Sequence, residues 1–340
     1  MEMYEPMRRR LAIACAVALL CACTPAFAAR YCVNTPLALA IALSQAQNNG
    51  EDDDIEIETG TYALGGELQY FGAATETFNL TLRGGAEPGT DCYVAATSGA
   101  TVLDGQHAVR PLYIEAPGRV NIFHITFESG HPTQYAGGAL NVSASIADVE
   151  SSAFIANHAA SGNTGSAAYI SATLAIYFDS NLLIGNTGTS ALYFYATNIA
   201  DVNNNTIVAN QLDNHVGVGA FNPTGAGHYN VSNNILWNNE GSDVFDQGGG
   251  TDYFHNDVGV IANIAPLSET GDISVDPGFA GGLLNFHLAA GSPLVNAGVD
   301  SPAGGTGATD ADGGTRKIGK HVDIGAYESD VLFRNGFEAP

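Results

Sequence analysis

Four carboxylates stand out for their spacing: Asp148, Glu150, Asp179 and Asp201, with Tyr177 among them. Glu150 and Asp179 occupy the same position in successive sequence repeats. Asp148 and Asp201 share a neighbouring position, with Tyr177 between them. If the repeats stack, Glu150 and Asp179 lie one rung apart, roughly 4.8 Å at the backbone. Like charges at that separation are unfavourable unless a side chain turns away, a proton is shared or a cation binds. Three readings compete for the patch: solvated surface charge, Ca²⁺ held by Asp148, Glu150, Asp179 and Asp201, or a glycoside-cleaving carboxyl pair in Glu150 and Asp179. A second candidate site is aromatic. Tyr169, Tyr177, Tyr193 and Tyr195 would stack on sugar rings where they face outward; otherwise they cover strand backbone or fill the core.

Other chemistries lack their residues. Proton abstraction beside a uronate carboxylate usually takes Arg or Lys as base, and neither occurs between Arg119 and Arg316. The Gly-His-Gly and Arg-Ile-Lys segments of polygalacturonase-type hydrolases are missing. The nine His form no zinc-type pair, and there is no Gly-x-Ser-x-Gly or phosphate-binding glycine loop. Residues 310–314 carry two Asp and Gly at a calcium-like spacing. They lack the third ligand and the distal Glu of an EF-hand, so they read as a turn.

The elements that position these residues come from a repeat. Residues 120–130, 147–157, 176–186, 200–210 and 229–239 share one register. Val120, Ala147, Ile176, Ala200 and Tyr229 form one column, Ile122, Val149, Phe178, Val202 and Val231 a second, and Phe127, Phe154, Leu183, Ile207 and Leu236 a third. Alternation with period 2 marks strands with one buried face. Further short strands are expected between the repeats, at 139–142, 168–170, 191–194, 216–220 and 244–245. Three strands per repeat of ~27 residues leave no room for a crossover helix, so the chain should be a parallel β-solenoid of roughly ten coils. Asn181, Asn205 and Asn234 align at one turn, and Asn157, Asn186, Asn210 and Asn239 at the next. They are expected to adopt the left-handed turn conformation and to hydrogen-bond from coil to coil. Thr35-Pro36 begins a helix over about 37–47 that would plug the open first coil.

With 35 acids against 11 Lys and Arg, the net charge is −24, which argues against proteins that grip nucleic acid through phosphates. Residues 1–28 read as a secretory signal: Arg8-Arg9-Arg10, an apolar stretch over 11–23, then Ala26-Phe27-Ala28. A lipid anchor through Cys23 is the alternative. Later segments contain no run of 18 apolar residues, so no membrane span is expected. Cleavage removes Cys15, Cys21 and Cys23, leaving Cys32 and Cys92 to pair in an oxidising compartment. Such a bridge would be worth about 4 kcal/mol in the loop-entropy model.

Val275-Asp276-Pro277-Gly278-Phe279 and Phe286-His287-Leu288, leading into Gly291-Ser292-Pro293, begin a C-terminal pattern. It continues through Asn296-Ala297-Gly298, Asp310-Ala311-Asp312-Gly313 and Arg316 to Val322-Asp323-Ile324-Gly325-Ala326-Tyr327-Glu328. With the repeats, this pattern resembles secreted bacterial proteins of the right-handed β-helix, pectate-lyase-like superfamily that end in a choice-of-anchor Q region. The chain departs from that group at Asn296, where the group commonly has Asp. Residues 332–338 resemble a short tail found on other exported proteins.

The expected architecture is an all-β, right-handed single-stranded parallel β-helix with an N-terminal helical cap. Its parts are a signal peptide (1–28), the cap with its helix (29–53), β-helix coils (54–265), irregular C-terminal coils and cap (266–328) and a tail (329–340). Function points first to a non-catalytic, secreted or cell-surface module, expected to be a monomer, that binds a polysaccharide or cell-surface glycan or serves in adhesion. The alternative is a glycoside hydrolase or, behind it, a polysaccharide lyase; a purely structural stalk is a third reading.

Overall fold

The computed structural model describes residues 28–96, 99–212, 220–247, 250–263, 267–281 and 285–329. Residues 1–27 of the expected signal segment, Cys23 among them, residues 216–219 of the strand expected at 216–220 and residues 330–340 of the expected tail lie outside them.

The chain winds into a parallel β-solenoid of about eight turns. Each regular turn contributes a strand to three faces. Face A is exemplified by Arg119–Phe123, Ile199–Asn203 and His228–Ser232, face B by Ile125–Glu128, Ala153–Ile155, Leu182–Ile184, Thr206–Val208 and Ile235–Trp237, and face C by Leu68–Phe71, Leu112–Glu115, Leu192–Ala196 and Phe221–Thr224. Leu140–Glu150 and Ala168–Asp179 run continuously from face C into face A. Their register shifts at the corner, between Ala144 and Ile146.

The columns stack as the alternation requires. Phe127 pairs with Phe154, Phe154 with Leu183, Leu183 with Ile207 and Ile207 with Leu236; all five are at most 1% exposed. Phe127 and Phe154 stack with ring centroids 5.1 Å apart. Face B has eight rungs rather than ten, because the chain beyond residue 273 stops coiling and returns along the outside of the solenoid.

Two amide ladders brace the corners. At the first corner Asn181 donates to Asn205 (3.1 Å), Asn205 to Asn234 (2.9 Å), Asn234 to Asn256 (3.0 Å) and Asn256 to Asp272 (2.9 Å). At the second, Asn157, Asn186, Asn210 and Asn239 form a like series ending on Asp243. The left-handed backbone sits one residue upstream of where it was expected, at Ser180, Asn204 and Asn233 on the first corner and Ala156, Gly185, Ala209 and Asn238 on the second. The left-handed residue turns the corner, and the following Asn points inward to satisfy buried backbone groups.

Helix α1, Pro36–Ala46, starts at Thr35, whose Oγ1 accepts from the Ala38 amide at 3.2 Å. Leu39, Ala42, Leu43 and Ala46 form its buried stripe, against strands Ala29–Val33, Asp53–Glu58 and Leu68–Phe71. Cys32 and Cys92 lie at disulfide distance, with Cα atoms 5.6 Å apart. Among the described residues no helix is long and apolar enough to cross a membrane.

The returning segment is held at several points. Leu288, Leu294 and Ile324 pack on Val208 and Ile235, which project outward from face B. Asn233 exchanges hydrogen bonds with Val299, donating to its carbonyl at 3.0 Å and accepting from its amide at 2.8 Å. Arg316, 2% exposed, donates to Ser180 Oγ and to the Ala326 carbonyl. Asp310 Oδ1 accepts from the amides of Asp312 and Gly314, which makes residues 310–314 a turn.

Candidate functional site

Face A carries the acidic residues because alternate positions of its strands point outward. Glu150 pairs with Asp179 and Asp179 with Asn203; beside them Asp148 pairs with Tyr177 and Tyr177 with Asp201. All six line one groove of about 520 Å³, together with Arg119, Phe178, Gly304 and Gly307. The two glycines belong to the returning segment, which forms a wall of the groove. There Gly304 has φ +78°, and a Cβ on it would come within 2.6 Å of the Asp201 Cβ, so a larger residue would push the wall away.

The wall lies against Asp201 and Asn203. Asp148, Asp179 and Asp201 face outward yet are only 6%, 8% and 5% exposed. Burial raises the Glu150 carboxyl to about 7, reinforced by Asp148 and Asp179. Burial likewise raises Asp179 to about 6 against the opposing effects of Ser180, Arg316 and Asn204. Asp148 is ion-paired with Arg119, but burial outweighs the guanidinium and its carboxyl is still raised. Burial also raises Asp201, opposed by the Asn230 amide, which donates to it at 2.7 Å, and by His228.

Chemically, this is a groove with one carboxyl raised to about 7 beside Asp179, raised to about 6, the arrangement general acid–base chemistry uses. Calcium ligation is less well prepared. Among the described residues, no three groove carboxylates bring oxygens within 4.8 Å of one another; Cys32, Glu58 and Cys92 are the group that does. Arg119 is the one Arg or Lys lining the groove, and its pairing with Asp148 ties up the nearest base of the lyase type.

The tyrosines divide between two faces. Tyr177 belongs to the acidic groove, whereas Tyr169, Tyr193 and Tyr195 lie on face C. Tyr169 and Tyr193 stack with centroids 5.1 Å apart and planes 6° from parallel. Towards the N-terminal end of the solenoid the same outward column continues through Asn141, Tyr113 and Gln69. A groove of about 800 Å³ opens over it, walled by residues 132–136. Arg110, 2% exposed, fastens that wall: Nε donates to Gly137 O at 2.6 Å, Nη2 to Gln134 O at 3.2 Å, and Nη1 pairs with Glu67 at 2.7 Å.

Asn203 shared the repeat position of Glu150 and Asp179, so its place in the groove was readable from the register. Arg119 stands one residue before the first repeat. Gly304 and Gly307 carried no periodic signal. Set beside models of known families, characterised proteins and solved structures, the chain matches none of them.

Proposed function

We propose that the chain is an exported, pectate-lyase-like β-helix protein that binds a polysaccharide along face C, as a glycan-binding or adhesion module. The observation that carries this reading is an open groove lined by Tyr113, Tyr169 and polar Gln69 and Asn141, with Tyr193 stacked on Tyr169 at the next rung beyond it. Apolar sugar faces stack on exposed rings while a few polar groups fix orientation. The cysteine pair at disulfide distance and the absence of a membrane-crossing helix among the described residues are compatible with an extracellular address. On this reading, α1 covers the open first rung, and the residues resembling a choice-of-anchor Q region close the exported domain. A glycan screen tests it: binding should disappear in the Tyr169→Ala/Tyr193→Ala variant while thermal stability is kept. Binding unaffected by the double substitution would sink the reading.

The raised Glu150 carboxyl, one rung from Asp179, favours a second reading in which the acidic groove hydrolyses a glycosidic bond with Glu150 as acid. Reducing sugar released by the native chain and not by Glu150→Gln would support it.

A further inference from the structure

The acidic groove holds acceptors that lack donors. Asn203 is 2% exposed, and its Nδ2 donates to Ala303 O at 2.7 Å and Gly305 O at 3.0 Å. Those two carbonyls fix the orientation of the amide. Its Oδ1 is therefore left buried, in a residue that lines the groove, without a hydrogen-bond partner. Asp148 Oδ1 is in the same state, while Oδ2 is taken by Arg119. A buried acceptor without a donor costs about 1–3 kcal/mol, which a donor-rich ligand would recover. Four carboxylates against Arg119 give that ligand's charge its sign.

Asp148 and Asn203 stand two rungs apart, roughly 9–10 Å along the axis. That is further than one ammonium group spans, and it suits successive units of a polymer. Tyr177 lies on the rung between them, half-buried, where a ring face can meet a sugar face.

We propose that the face A groove binds a polysaccharide containing unacetylated amino sugars. The ammonium of one unit donates to Asp148 and Glu150, and the next units lie over Tyr177 towards Asn203 Oδ1. Glu150, held up to about 7 by burial and by Asp148 and Asp179 against the opposing pull of Arg119 and Arg83, gains in such a complex a further cationic neighbour. The inference is independent of the aromatic face and concerns which polymer occupies the groove, whether or not a bond is cut there.

Calorimetric titration of the full chain with short glucosamine oligomers, against the same oligomers N-acetylated, tests the proposal. The free-amine oligomer should bind at least about tenfold more tightly, and Glu150→Gln should weaken it by about tenfold. Equal affinity for the acetylated oligomer would overturn the proposal without recourse to any variant. It would also be overturned by unchanged binding in folded Glu150→Gln or by tighter binding of oligolysine.

Discussion

Asn205 donates through Nδ2 to Asn234 Oδ1 at 2.9 Å, across one rung and wholly out of solvent. The same Asn205 side chain accepts from the Asn181 amide and side chain and donates to the Phe178 carbonyl. Replacing Asn205 by Ala leaves several buried groups without partners, each costing about 1–3 kcal/mol. The expected loss is about 3 kcal/mol or more, read as a lower urea midpoint with an unchanged slope.

Stability should fall as pH rises from acid to neutral. The folded chain holds Glu150 near 7 and Asp179 near 6, above their ordinary values of 4.5 and 3.8. Folding thus binds protons that the unfolded chain would release. The stability is fully present below the unfolded values and is lost as pH passes through the folded ones. Glu328, raised to about 8 by burial and by Asp323, extends the decline past neutrality. Denaturation midpoints should be higher at about pH 4 than at about pH 8. Glu150→Gln should flatten the decline between about pH 5 and 7 by on the order of 1–2 kcal/mol. A midpoint that climbs over that range would contradict the assignment.

Bridging Cys32 and Cys92 closes a loop of 60 residues in sequence separation. Reduction, or Cys32→Ser, should cost about 2–4 kcal/mol, measured as a fall in thermal midpoint. Intact mass with and without reductant should differ by two hydrogens.

Arg316 fastens the returning segment to Ser180 and to its own Ala326 carbonyl. Arg316→Ala should loosen that segment, leaving Ser180 and Glu328 without their cationic partner. Limited proteolysis should then cut within residues 297–329 sooner than in the native chain, while the rungs before residue 270 stay resistant.

The inward columns were legible because period-2 alternation survives in every rung from Val120 to Leu236. The acidic pair was legible for the same reason, since a correct register fixes outward neighbours as firmly as inward ones. Half of the Asn reading held: the amides do stack, but the left-handed turn falls on the preceding residue, where Ser, Ala, Asn and Gly all occur and no single residue type marks it. The face C strand Phe221–Thr224 was hidden by Asn222-Pro223, a turn signal that here pairs with Tyr193 and Phe194. The groove wall was invisible because residues 297–307 have no repeat, and they bind Asn203 and Asn233 largely through their own backbone.

A ribosome makes residues 300–307 after all the rungs. The acidic cleft is therefore completed last, by a strap laid over a finished coil. A chain stopped before residue 300 could wind every turn and still leave Asp201 and Asn203 without the wall that lies against them. Selection on the cleft would then act on how that strap is seated as much as on the carboxylates beneath it.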